Sequence, residues 1–214
     1  AKNIYLVRNG KNSKSTVSFR DNVQLENMIR KNAQNIGIEL NDTKPFVKFN
    51  HKEGINVTAT LPPLSSVANI FVKCYKDKHA TLQALSENQS VSKEMALILE
   101  ALCAIRTNVI IAGEKNTLKT TVLSALSKLL PNNGRGVVVD NMQEFKINAK
   151  NYSNYNLSNV EGESAELEIL NSIIMSNPEK LSINDPNERI LSYVTKNALT
   201  GYKGTMLTVC AKSA

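Results

Sequence analysis

Apolar positions recur with two different periods along this chain, and the switches between them divide it into elements. "IYLVRNGK" and "STVSF" alternate around an Asn-Gly pair at Asn9–Gly10, the pattern of a β-hairpin. In the next stretch Leu25, Met28, Ile29, Ala33 and Ile36 recur at helical spacing, with Asp21 or Asn22 placed to cap the start. Alternation returns in "GINVTATLPPL", where Ile55, Val57, Ala59 and Leu61 share a face and Pro62–Pro63 ends the run, and again in "NIFVKCY" through Ile70, Val72 and Cys74. The polar stretch "KDKHATLQALSENQS" breaks the pattern and predicts a linker near residues 76–90.

Beyond it, strands and helices alternate. Ser92 is placed to cap a helix whose predicted inner face is Met95, Ile98, Leu99, Leu102 and Ile105. "NVIIA" (108–112) and "VVVD" are short apolar runs, as buried parallel strands require. Between them a helix turns Val122, Leu123, Leu126, Leu129 and Leu130 inward, and "PNNGRG" reads as a turn. A helix through Leu167, Leu170, Ile173 and Ile174, a weaker strand "KLSIND", a helix from near Pro186 to near Gly201 and a strand "TMLTVC" complete the series. Such alternation predicts a parallel α/β sheet.

The totals add limits. A chain of 214 residues accommodates one large domain or two small ones. No apolar run approaches the ~18 residues that span a bilayer. The N-terminus turns polar too soon for a signal peptide, and it begins with Ala rather than Met, as a fragment would. Three widely spaced cysteines, Cys74, Cys103 and Cys210, read as buried thiols of a reducing compartment, and His51 and His79 as surface residues without metal-ligand spacing. Residues 1–78 hold 13 Lys/Arg against 6 Asp/Glu, whereas residues 79–214 hold 13 of each, so the whole net charge of +7 lies in the first third. That bias suits an acidic partner or an anionic membrane face as well as a plain solvated surface. The absence of an Arg-rich cluster or interleaved aromatics argues against a specific nucleic-acid partner.

One stretch carries chemistry. Gly113–Thr120 nearly spells the phosphate-loop pattern G-x-x-x-x-G-K-[ST], between an apolar strand and a helix. In a working loop, backbone N–H groups and the positive helix end cradle phosphate. Lys119 would reach the β/γ oxygens and the Thr120 hydroxyl would hold Mg²⁺. Gly113, Lys119, Thr120 and the following Thr121 are therefore the candidate nucleotide-binding residues. The second glycine is replaced by Leu118, whose Cβ opposes the backbone angle required there at about 1–3 kcal/mol. Glu114 adds an anion where phosphate charge collects. A plain helix N-terminus is the alternative reading.

Taken whole, the sequence resembles the traffic ATPases of type II/IV secretion systems, and among them the branch that assembles Tad/Flp-type pili. "GINVTATLPPLSS" is similar to the family stretch G-x-R-v-n-A-x-x-P-P, and "ALTGYKGTMLTVCAKSA" to its T-G-H-d-G-S-l-s-T-i-H-A-N-S. The resemblance implies a PAS-like α+β N-terminal domain (1–78) and a RecA-like P-loop NTPase domain (79–214) that stops short at its C-terminus. It also implies ATP with Mg²⁺, a hexameric ring of like subunits or with a catalytic paralogue, and a cytoplasmic location docked on an inner-membrane secretion or pilus platform.

At the catalytic positions this chain departs from the family. In the acidic box, Asp140 stands for the activating Glu and Asn141 for the Asp, while Glu144 is kept. In the Walker B stretch Asp185 stands for the acid, and Asn184, Asn187 and Glu188 replace Gly, Arg and Gly. Tyr202 and Cys210 replace the two histidines of the histidine box. The implied catalytic set is then Asp140, Asp185 and Glu144, with Thr120 and Asp185 toward any Mg²⁺. A shortened carboxylate misplaced by about 1 Å can cost ~10²-fold in rate. Departures at all four motifs point to a pseudo-ATPase with a structural or regulatory role. The alternatives are a slow but working ATPase and a binding module for an anionic partner.

Overall fold

In the computed structural model the described residues are 3–8, 11–52, 55–74, 81–115, 117–130, 134–141, 144–157, 160 and 162–212. They form two compact units, Ala1–Cys74 and Tyr75–Ala214.

In the first unit, β1 (Asn3–Arg8) and β2 (Lys11–Ser18) pair antiparallel with Arg8 opposite Lys11. The expected turn residues Asn9 and Gly10 lie outside the described residues. Helix α1 (Asn22–Asn35) starts where Asp21 accepts the amide of Gln24 at 2.7 Å, a cap worth about 1 kcal/mol. Leu25, Ile29 and Ala33 are its buried stripe, while Ile36, at the C-cap, is exposed. That stripe packs with Leu61 and with Val47 and Ala59 of an antiparallel sheet ordered β3 (Phe46–Lys52), β4 (Ile55–Thr60), β5 (Asn69–Cys74). The far end of β5 is open: Val72 and Cys74 are exposed, against the inward face expected of them. His51 is exposed, and His79 lies outside the described residues.

The second unit is a five-stranded parallel sheet ordered β6 (Val109–Gly113), β10 (Thr205–Cys210), β9 (Lys180–Asn184), β7 (Gly136–Asp140), β8 (Tyr152–Tyr155). Helices α2 (Leu82–Glu87), α3 (Lys93–Ala104) and α4 (Lys119–Ser127) meet Val138 and Met206 on one face. Helices α5 (Glu163–Met175) and α6 (Glu188–Leu199) meet Val137, Val139, Ile183 and Leu207 on the other. Among the described residues no helix is long and apolar enough to cross a membrane.

Three expectations are corrected here. The stretch read as a linker contains α2, whose Leu82 and Leu85 are buried in the core, capped by Thr81. Helix α3 turns Ala96, Leu99 and Cys103 inward, leaving Met95, Ile98 and Ile105 exposed at 50%, 56% and 70%. Its sequence is apolar nearly all round, so small residues could take the tight contact with α4 and the larger ones face out. Only Cys103 of the three cysteines is buried.

Helix α4 is pegged to the sheet by buried polar groups. Lys180 Nζ donates to Leu126 O at 3.0 Å and to Leu129 O, a cation on the negative end of the helix. Burial holds its pKa below the usual lysine value. Ser127 Oγ meets Ser182 Oγ at 2.6 Å, and Tyr152 donates its hydroxyl to Ser127 O. Burial, with a smaller effect from Cys103, pushes the Tyr152 pKa from 10 up to about 12. The neutral phenol is thus favoured in the folded state; its contribution is intact below pH 10 and is lost as pH rises through about 12. Stability of the protein should fall across that window by only about 1–2 kcal/mol more than that of Tyr152→Phe, because the partly exposed phenol is screened by water. Denaturant midpoints at pH 9, 10.5 and 12 measure the difference; parallel curves would show a solvated phenol.

Candidate functional site

Parallel strands deliver their C-terminal ends to one edge of the sheet, the usual place for a site in an open α/β fold. The register aligns Gly113 of β6 with Cys210 of β10, and Asp140 of β7 with Asn184 of β9. The loop Gly113–Thr120 leaves this edge and enters α4. Asn116 within it is outside the described residues.

Leu118 is the N-cap of α4 and sits in the left-handed region, φ 63 and ψ 11. The loop thus keeps the turn that its missing glycine would make, at the steric cost of a Cβ, with the Leu118 side chain half out in solvent. The loop interior is bound to itself. Lys119 Nζ donates to Glu114 O at 2.5 Å and Thr117 Oγ1 to the same carbonyl at 2.7 Å. A Cβ on Gly113 would lie 2.8 Å from Thr117 Oγ1, so that position suits glycine.

Next to the loop lies a polar knot. Thr120 Oγ1 lies 2.9 Å from Glu144 Oε2 and 3.1 Å from Asn184 Oδ1. Asn184 Nδ2 donates to Asp140 Oδ1 at 3.2 Å and to Glu144 Oε2 at 3.4 Å. Thr208 Oγ1 donates to Asn184 Oδ1 at 3.0 Å and accepts the amide of Asp185 at 2.8 Å. Asp140 also accepts the amide of Phe145 at 3.0 Å. Asp140, Asn184 and Thr208 are all buried, so each hydrogen bond counts for more than it would at the surface.

Four of the sequence candidates, Thr120, Asp140, Glu144 and Asn184, therefore meet at one point. Cys210 ends β10, beside Gly113 and exposed, and Thr121 is half-buried on α4. Asp185 is exposed, with φ 46, and its amide rather than its carboxylate joins Thr208. Asn187 caps α6 by accepting the amide of Ile190 at 2.9 Å, and its Nδ2 donates to Glu166 at 3.1 Å; Glu188 occupies the first turn of that helix. Tyr202 lies at the other end of the sheet, before β10 begins. Its carbonyl accepts Asn108 Nδ2 at 2.8 Å, and burial raises the pKa of its hydroxyl. Among the described residues its contacts do not join it to the site. Thr208, which sequence reading missed, is central; a threonine in the middle of the buried run "TMLTVC" was the available signal.

No protein-family model matches the chain. The VirB11 type IV secretion system protein of Bartonella quintana (strain Toulouse) is 24% identical over 155 residues, 71% of this chain and 42% of that protein. VirB11 of Bartonella henselae is 24% identical over 125 residues, 57% of this chain and 35% of that protein. The chain thus spans about two-fifths of the length of these curated relatives or less. Among solved structures, the Legionella pneumophila ATPase DotB superposes with a TM-score of 0.62 at 15% identity, covering 100% of this chain and 62% of that one. The pilus retraction motor PilT with bound ADP gives 0.66 at 12% identity, covering 100% and 63%. The sequence likeness supports the type II/IV traffic ATPase family, and the structural likeness shows the shared fold.

Proposed function

We propose that this chain is part of a degenerate traffic ATPase: a subunit that keeps a phosphate loop, turns over little or no ATP, and serves a structural or regulatory role in a secretion or Tad-type pilus machine. One observation carries the reading. The two loop residues that would touch phosphate and metal, Lys119 and Thr120, are both engaged by the protein itself, Lys119 by Glu114 O and Thr120 by Glu144 and Asn184. Nucleotide must displace the first contact and finds the second already made, which weakens binding, and Asp140 and Glu144 are tied into the same knot. The PAS-like assignment of the first unit, a ring with like subunits or a catalytic paralogue, an inner-membrane platform as partner and a cytoplasmic location belong to the same proposal, by analogy with the family.

A slow ATPase is the second reading, favoured by the left-handed turn that the loop keeps at Leu118. Melting temperature under ATP and ADP, together with phosphate release, separates the two. A modest upward shift without release is expected, because a ligand of the folded state stabilises it. Leu118→Gly should tighten binding about tenfold, roughly 1.4 kcal/mol, because without the Cβ phosphate can approach the loop backbone more closely. Steady phosphate release abolished by Lys119→Ala would establish the second reading instead.

A further inference from the structure

We infer that the side-chain amide of Asn184 takes the place of the divalent metal, so that this site binds nucleotide, a diphosphate in preference to a triphosphate, without Mg²⁺. The inference rests on the phosphate-loop reading above.

The donor set does not fit Mg²⁺. That ion demands oxygen ligands at about 2.0–2.1 Å in near-octahedral geometry. Here the hydroxyl meant for it, Thr120 Oγ1, shares its single proton between Glu144 Oε2 at 2.9 Å and Asn184 Oδ1 at 3.1 Å. The two buried-edge acids, Asp140 and Glu144, converge on a nitrogen, Asn184 Nδ2, at 3.2 and 3.4 Å. An NH₂ group lies between the two carboxylates and donates to both, and a metal cannot enter while it is there. The amide is also held from its other end, because Asn184 Oδ1 accepts Thr208 Oγ1 at 3.0 Å. Asn184 is 3% exposed, so the amide is screened from water. Glycine, which the resemblance places at this position, would leave the space between the acids open.

The amide brings hydrogen bonds but no charge. Phosphate charge must then be met by Lys119 and the backbone N–H groups at the start of α4, with Asp140, Glu144 and Glu114 opposing it. The fewer the phosphate charges, the smaller that opposition, hence the preference for a diphosphate.

The test is the melting temperature of the whole chain with ADP, once in MgCl₂ and once in EDTA, and the same for ATP. Equal ADP shifts in the two buffers, larger than those for ATP, are expected. In Asn184→Gly the shift should become larger in MgCl₂ than in EDTA. An ADP shift in the unmodified protein that disappears in EDTA would overturn the inference and leave the phosphate-loop reading standing. No ADP shift in either buffer, including for Leu118→Gly, would overturn the loop reading and the inference with it. If Asn184→Gly does not fold, the unmodified protein and Leu118→Gly decide these outcomes.

Discussion

Asn184→Asp is expected to lose about 3–5 kcal/mol of stability at neutral pH, although it changes the side chain by only one atom. The NH₂ that donates to Asp140 and Glu144 becomes an oxygen facing two carboxylates. Like charges cannot all ionise in a buried cluster, so the introduced carboxyl has a raised pKa in the folded state. The sign of the pH dependence follows. Below about pH 4 the group is protonated in both states and restores a donor, so the variant approaches the unmodified protein. The deficit opens as pH climbs through the raised folded value. Magnesium gives a second signature, because a third carboxylate, joined by the oxygens of Thr120 and Thr208, makes a set of hard ligands where an amide stood. Added MgCl₂ should raise the melting temperature of the variant and leave that of the unmodified protein unchanged. A variant as stable as its parent at pH 7.5, and blind to Mg²⁺, would mean that Asn184 is not wedged between the acids.

Gly204→Ala is expected to cost 3 kcal/mol or more, by two additive causes. Gly204 has φ 84, and its Cβ would lie 2.3 Å from the backbone carbonyl oxygen of Glu179. A flexible side chain could move aside; this carbonyl cannot without disturbing the entry to β9. Gly204 also ties the strand starts together, donating to Arg106 O at 2.9 Å and accepting from Leu181 N at 2.9 Å. Gly201 is the control: its φ is 101, but nothing lies within 4 Å of its Cβ position. Gly201→Ala should therefore show the backbone penalty alone, roughly 1–2 kcal/mol. Urea midpoints of the two variants measure the difference, and equal losses would show that the carbonyl contact is not limiting.

Elements with a long apolar rhythm were legible before any coordinates. The stripe of Leu25, Ile29 and Ala33, the run "VVVD" and the inward faces of α4 and α5 all read directly, because burial on one face or both writes itself into composition. The run "NVIIA" reads as a strand, but the expectation that it is buried is corrected: β6 is at the sheet edge and Ile110 is exposed. Four elements did not read directly. Strand β3, "FVKFNHK", turns polar at its end and is a strand because it pairs with β4. Strand β8, "YSNY", is polar and at the sheet edge; it is a strand because Gly136–Val139 pair with it. Helix α2 has six residues, too few for a period to show, and is held by burial of Leu82 and Leu85. In α3 the period was there, but a helix apolar nearly all round has no face that sequence can mark as inner.

The site divides the same way. From residue order alone one can read a phosphate-type loop between a buried strand and a helix, missing one glycine, in a frame of alternating strands and helices. Those are local facts, set by neighbours within a turn or two. That Thr120, Asp140, Glu144, Asn184 and Thr208 form one knot, and that Tyr202 stands at the far end of the sheet, depends on contacts up to 94 residues apart. Strand order and register create such contacts, and they leave no periodic trace in the chain, because a hydrogen bond across a sheet constrains where two residues meet and not how far apart they are written.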